Sequence, residues 1–281
     1  MMRIIAPVLF MIATTTAIGQ ELGFGVKAGL TFSTITGETD PGESFGYKSG
    51  FHVGPTVTLR YTDDFGVRAE LLYNQMGHKY EFEGPSYFIL RDDQGERIPI
   101  KGEKSVSYNT YLSYIDIPLQ VYYRFADLIE VYGGANLLIL GGGTAGGSLD
   151  FQNEGLRDGP IDVQVDYNYN NDDAAGGSGG VGINRIGRRQ FEIPNSLGAY
   201  YDFNEKDGRA WNTLDYGLHG GFRIMFNDAL YLEGRAYFGF NDVSNNDLDL
   251  RQAIPEGEDP IQPSQDEDRN RSFTVSLGFS F

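Results

Sequence analysis

The chain has 281 residues, a formal net charge of −17, 40% hydrophobic residues and no cysteine. Without cysteine it cannot be a disulfide scaffold, a cysteine-ligated zinc protein or a thiol enzyme, and its acidity argues against nucleic acid, whose phosphates need a basic surface. No apolar run approaches the length of about 18 residues that a membrane-crossing helix needs. This excludes a helical bundle but not a membrane barrel, whose strands are apolar on one face only.

Residues 1–19 read as a secretory signal. Arg3 supplies the positive start, 4–13 a short apolar stretch, and Ala17-Ile18-Gly19 the small-x-small pattern before Gln20. The apolar stretch is too short for a membrane anchor and contains Pro7. The mature domain is expected at 20–281.

Beyond the signal, apolar and other residues alternate with the period of two that places successive strand side chains on opposite faces. Eight segments carry the pattern: 22–33, 51–61, 65–74, 115–125, 129–139, 214–226, 230–240 and 272–281. Each supplies roughly the 9–11 residues a tilted strand needs to cross a bilayer. The core of the apolar face holds no charge. The other face collects Lys27, Arg60, Arg68, Arg124, Arg223 and Arg235 with Glu70, Asp116, Glu130, Asp215 and Glu233. Near-balance of opposite charges is what an enclosed interior of paired ions demands, whereas a solvated face has no reason to balance. The expected fold is therefore an all-β, eight-stranded antiparallel up-and-down transmembrane barrel. Its interior is just wide enough for side chains to fill, so no water pore is expected.

The links 62–64, 126–128 and 227–229 are a few residues long, while the others run roughly 15, 30, 70 and 30 residues, the short-turn, long-loop asymmetry of an outer-membrane barrel. The expected address is the bacterial outer membrane, with both termini periplasmic and 141–212 a long extracellular loop. Tyr61, Phe65, Tyr123, Phe125, Phe226 and Phe281 fall near the short turns as an aromatic girdle. Pro55 and Pro118 lie inside strands, where each removes a ladder donor, and are expected to mark bulges. In the long loop, 163–167 alternates like a strand extension, and Phe191, Ile193, Leu197, Tyr200, Tyr201, Phe203 and Trp211 suggest a partly ordered cap with aromatics available to a partner.

Two stretches, 25–33 (Gly-Val-Lys-Ala-Gly-Leu-Thr-Phe-Ser) and 114–119 (Tyr-Ile-Asp-Ile-Pro-Leu), resemble strands of the PorT-like outer-membrane β-barrel family. Asp116 stands where that family more often has Glu, and 120–124 departs from its usual apolar run. The resemblance covers the strands and lapses in the loops. It implies a signal peptide, an eight-stranded barrel and an outer-membrane address, and little about activity, because a fold does not fix a function. The founding member is linked to protein secretion.

Motifs with catalytic or ligand connotations lack their contexts. The stretch 141–146 fits G-x-G-x-x-G but precedes no helix to receive a pyrophosphate. The stretch 176–180 fits G-x-S-x-G with no strand before it and reads as a flexible linker. The stretch 166–170 opens like a calcium loop, yet Asn171 and Gly177 stand where Gly and Glu are needed. His52 and His219 fall on the interior face; His78, at an extracellular strand end, is the one histidine placed for rim catalysis. The loop 241–270 holds nine acidic residues against two basic ones, and the expected role of that charge is surface solubility. No catalytic, cofactor-binding or metal site is expected, and no cofactor. The expected partners are outer-membrane lipid and a protein reached through the extracellular loops, without nucleic acid. The expected function is a non-catalytic outer-membrane barrel presenting loops for structural or partner-binding roles. The alternatives are an accessory barrel of a secretion or assembly machine, and a rim-active hydrolase.

Overall fold

The structure is a computed structural model that describes residues 21–92, 94–254, 261–264 and 266–281; the signal reading of 1–19 lies outside these residues. Twelve strands form one sheet: β1 (Glu21–Thr36), β2 (Glu43–Arg60), β3 (Phe65–Glu70), β4 (Leu72–Arg91), β5 (Arg97–Phe125), β6 (Ile129–Gln152), β7 (Ile161–Asn168), β8 (Gly177–Ile186), β9 (Arg189–Leu197), β10 (Leu214–Met225), β11 (Leu230–Gly239) and β12 (Arg269–Ser280). The pairing closes on itself. β1 pairs with β2 on one side and β12 on the other, β2 with β3 and then β4, both of these with β5, and the ring continues through β6, β10 and β11 back to β12, antiparallel throughout. β3 and β4 are two parts of one stave, so the ring is the expected eight-stranded up-and-down barrel. Closure leaves no open edge, which a bilayer does not tolerate.

The two faces behave as the alternation demands. Leu22, Phe24, Leu30, Ile115, Leu119, Leu218, Phe238 and Leu277 are exposed on the outside, while Lys27, Arg68, Glu70, Asp116, Gln120, Glu130, Arg223 and Glu233 are buried inside. The girdle aromatics Tyr61, Phe65, Tyr123, Phe125, Phe226 and Phe281 are exposed at the short-turn end. There the β5–β6 turn places Ala126 and Asp127 at φ 49° and 57°, the left-handed pair that matches a tight hairpin to the twist of its strands.

The prolines do not make bulges. Thr56 pairs with Glu70 and Val53 with Tyr73, so the register is the same on either side of Pro55, and no residue is inserted. Leu71 donates its N–H to the Pro55 carbonyl at 3.1 Å, but Pro55 has no N–H to return. The missing donor interrupts the stave at Leu71, between β3 and β4. Pro118 pairs with Asn136 in a register unchanged through Phe125. The bulges fall higher, between Tyr47 and His52 and, with Gly141 as the extra residue, beside Ser113 and Tyr114.

The regions expected as loops are also more regular than the alternation suggested. β4 and β5 run on as one long hairpin to Arg91 and Arg97, and β6 runs on to Gln152. The stretch 141–212 carries the rest of β6 with β7, β8 and β9, and 176–180 enters β8 rather than forming a free linker. These additions build a second core above the barrel from Tyr80, Phe82, Phe88, Val106, Leu149, Phe151, Val163, Phe191, Ile193, Leu197 and Tyr201. The aromatics expected to await a partner are largely spent here: Phe191, Tyr200 and Tyr201 are buried, and Phe203 and Trp211 are half-buried.

Candidate functional site

The barrel interior is stacked in layers. Nearest the short turns lies a network of buried ions. Lys27 Nζ stands 2.7 Å from both Glu70 and Glu233, Arg235 bridges the same two carboxylates at 2.8 and 3.1 Å, and Arg223 joins them. Glu130 receives two hydrogen bonds from the Arg68 guanidinium, 2.6 and 3.1 Å, with Arg223 and Arg124 each at 3.8 Å. Not every charge expected in the interior joins it. Arg60 sits at the rim, half-exposed, paired with Glu21 at 2.7 Å. Asp116 and Asp215 meet amides instead: Asn74 and Asn136 donate to Asp116, and Asn270 to Asp215 Oδ2, while Asp215 Oδ1 has no hydrogen-bond partner among the described residues.

Above the ions, His219 bonds Asn136 and Gln120, and His52 bonds Thr31 and Ser276. A cavity of about 10 Å³ among Lys27, His52, Asp116 and Arg235 has room for one water at most. Next comes an apolar layer of Met76, Leu112, Tyr114, Leu138, Leu140 and Tyr237, with Trp211 packed on top. Ions below and hydrocarbon above close the lumen.

Over that plug lies a chamber of about 150 Å³, bounded by the elongated strands and the loops before β10 and β12. Its wall includes a closed circuit of aromatic contacts. From His78 the rings pass edge-on to Phe45 at 5.5 Å, then to Tyr80 at 5.5 Å, stacked Tyr108 at 4.8 Å and Tyr167 at 5.6 Å. They continue to Tyr169 at 5.9 Å and Trp211 at 5.7 Å, which returns to His78 at 5.5 Å. The strands explain the circuit: Phe45 on β2, His78 and Tyr80 on β4 and Tyr108 on β5 occupy neighbouring staves, and Tyr167 on β7 meets Tyr108 across β6.

The chamber is also acidic. Asp40, Glu43, Asp202, Asp249, Asp266 and Asp268 line it. Burial, reinforced by Asp268, Glu43, Asp266 and Asp242, pushes Asp249 up to about 8, and burial with Asp242, Glu43 and Asp266 pushes Asp268 up to about 7. Two cations share the space. Arg251 is bonded to Asp40, and Lys104 donates to Gln252 with its Nζ 4.9 Å over the Tyr87 ring. No ion pair among the described residues falls on Glu43, Asp249, Asp266 or Asp268.

His78, expected at the rim, lies instead in the chamber wall, 2% exposed, with Nδ1 lacking a hydrogen-bond partner. Burial pulls it down to about 3, so the ring is neutral. A general base needs an orienting partner, and the described residues give His78 none. Two oxygens of the calcium-like stretch are turned onto its own backbone: Asn168 Oδ1 caps the amides of Asn170 and Asn171, and Asp172 Oδ2 those of Asn168 and Ala199. The residues 141–146 continue β6 with no helix after them. Sequence reasoning passed over the chamber because Glu43, Phe45, Tyr80, Tyr108 and Lys104 fall where loops were expected. The signal available was the continued alternation of 97–114 and 75–91.

The sequence matches the family model of the outer membrane protein beta-barrel domain over residues 16–245. No curated protein sequence matches it. Solved structures resemble it at low identity. Neisserial surface protein A is 10% identical with a TM-score of 0.37, over 94% of this chain and 100% of that one. Ail, the attachment invasion locus protein of Yersinia pestis, is 6% identical with a TM-score of 0.37, over 93% and 99%. OprG of Pseudomonas aeruginosa is 11% identical with a TM-score of 0.35, over 92% and 95%.

Proposed function

We propose a role for this chain from the premise that it belongs to the outer membrane protein beta-barrel domain family: it is a non-catalytic, non-conducting barrel that holds a rigid β-structure at the cell surface for binding. The observation that carries this reading is the pairing of a closed lumen with a built chamber. Ion and apolar layers leave a void of about 10 Å³ inside the barrel, whereas the strands above it enclose about 150 Å³. A channel needs the reverse arrangement. In this reading the short-turn end and both termini are periplasmic and the chamber is extracellular, in keeping with the turn-length asymmetry. The Tyr114–Leu119 and Gly25–Ser33 stretches support a PorT-like affiliation within the family.

Purified protein in planar bilayers is expected to give no steady current; a persistent open-channel conductance would overturn the reading. In cells, replacing 145–208 with a brief Gly/Ser turn is expected to leave a heat-modifiable barrel in the outer membrane and to abolish the phenotype that loss of the whole protein gives. Full complementation by this variant would move the function to the barrel wall.

A further inference from the structure

We propose that the chamber binds a small organic ammonium ion, seated against the aromatic circuit and neutralised by the carboxylates that line the same chamber. This deepens the surface-binding reading above and rests on it.

The size fits: a cavity of about 150 Å³ accommodates a molecule as large as benzene. The walls fit as well. Aromatic faces attract cations through their quadrupoles, most strongly where water is excluded, and cages of such rings are how quaternary ammonium groups are recognised. Among the described residues no cation sits over any of the seven rings. The cation–π contacts of the described residues fall elsewhere, on Tyr87, Tyr111, Tyr122, Tyr132, Tyr200, Tyr201, Tyr231 and Phe238. His78 is neutral and adds no repelling charge. Its unpartnered Nδ1, buried in the same wall, is an independent sign of a polar occupant.

The charge calls for a cation. Among the described residues Glu43, Asp249, Asp266 and Asp268 line the chamber without an ion pair; Asp268 is buried and the other three are half-buried, and like charges crowded together away from full solvent favour bound protons or a counter-ion. Among the described residues no three acidic or histidine side chains converge closely enough to hold a metal ion. The negative charge is spread along a wall, which suits a bulky, weakly hydrated cation better than a divalent point charge. Lys104 and Arg251 leave it uncancelled, since Arg251 is engaged by Asp40 and Lys104 sits over Tyr87 near Asp202.

The test is calorimetric titration of the full-length protein in detergent with choline, and with its uncharged isostere 3,3-dimethyl-1-butanol. Choline is expected to bind at least tenfold more tightly than the isostere. The isosteric double variant Asp249→Asn/Asp268→Asn, which relieves repulsion and keeps its heat-modifiable mobility, is expected to lose at least tenfold in choline affinity. Equal binding of choline and isostere would make the chamber an apolar pocket and overturn the proposal. So would the absence of binding to both, or calcium chloride binding where choline does not. None of these results bears on bilayer conductance, so a failed titration leaves the non-conducting reading intact, and a steady current would sink that reading alone.

Discussion

Arg68 and Glu130 face each other across the floor of the barrel through two nearly parallel hydrogen bonds, 2.6 and 3.1 Å, and both are buried. They come from staves separated by β5, so their contact ties the wall across the lumen rather than along it. Removing the carboxylate as Glu130→Ala strands Arg68, and with it the side of Arg223 that faces Glu130, in a buried site. The expected loss is about 3–5 kcal/mol, the usual cost of breaking a buried pair from one side. Urea titration in lipid vesicles measures it, and a loss under about 1 kcal/mol would show that solvent reaches the network.

Outside the barrel the same change of charge acts through lipid. Leu119, 57% exposed, lies near the middle of the apolar belt, while its neighbour Gln120 is 1% exposed in the lumen. Leu119→Lys is expected to cost about 2–4 kcal/mol in vesicle unfolding. Leu119→Phe, apolar and facing the same lipid, should unfold with the wild-type midpoint. Tolerance of the lysine would invert the assignment of faces.

A glycine supports the ionic layer without touching an ion. Gly278 pairs with Tyr231, and a Cβ built on Gly278 would land in the tyrosine ring. That ring lies 4.1 Å below the Arg223 guanidinium. Gly278→Ala must push the ring into Arg223, at about 1–3 kcal/mol for an overpacked core. Gly133→Ala, whose Cβ finds ordinary contact at 3.6 Å, is the matched control and should be neutral.

The loop-end structure should loosen as pH rises. Asp249 and Asp268 titrate near 8 and 7 in the fold, against roughly 4 in an unfolded chain. The folded cluster therefore holds protons that the unfolded chain has released. The resulting stability is complete below about pH 4 and is lost as pH climbs through 7 to 8. Limited proteolysis should cut the loop end faster at about pH 9 than at about pH 5.5, and Asp249→Asn/Asp268→Asn should flatten the difference. Faster cutting at the acid end would contradict the burial of these groups.

The barrel was legible in the sequence because the bilayer imposes one rule along each crossing: the outward parity is apolar. Leu119, Val121 and Tyr123 obey it, and so do Leu218 and Phe222. Where the staves leave the membrane the rule inverts. On β5 the apolar parity passes from Ile115 and Ile117, facing out, to Leu112 and Val106, facing in, and the outward positions become Ser105 and Glu103. A search for one apolar face stops at that inversion, which is why β4, β5 and β6 seemed to end there. Gly141 conceals the continuation of β6 further, because its bulge shifts the buried set from Leu138 and Leu140 to Ala145, Leu149 and Phe151. The chamber lies beyond the inversion and unites residues from 35 to 268, a convergence no local pattern encodes.

β5 is a single uninterrupted strand from Arg97 to Phe125. Its portion beyond the apolar belt, residues 97–114, has a contour of roughly 55–60 Å at about 3.3 Å per residue, paired along most of its length with both β4 and β6. Such a beam has no hinge at the membrane boundary. A force on the far end of such a beam meets no break in β5 before the barrel and passes into the staves below. In mechanical terms the protein is a mast stepped into its own hull, so displacing its tip strains the staves below.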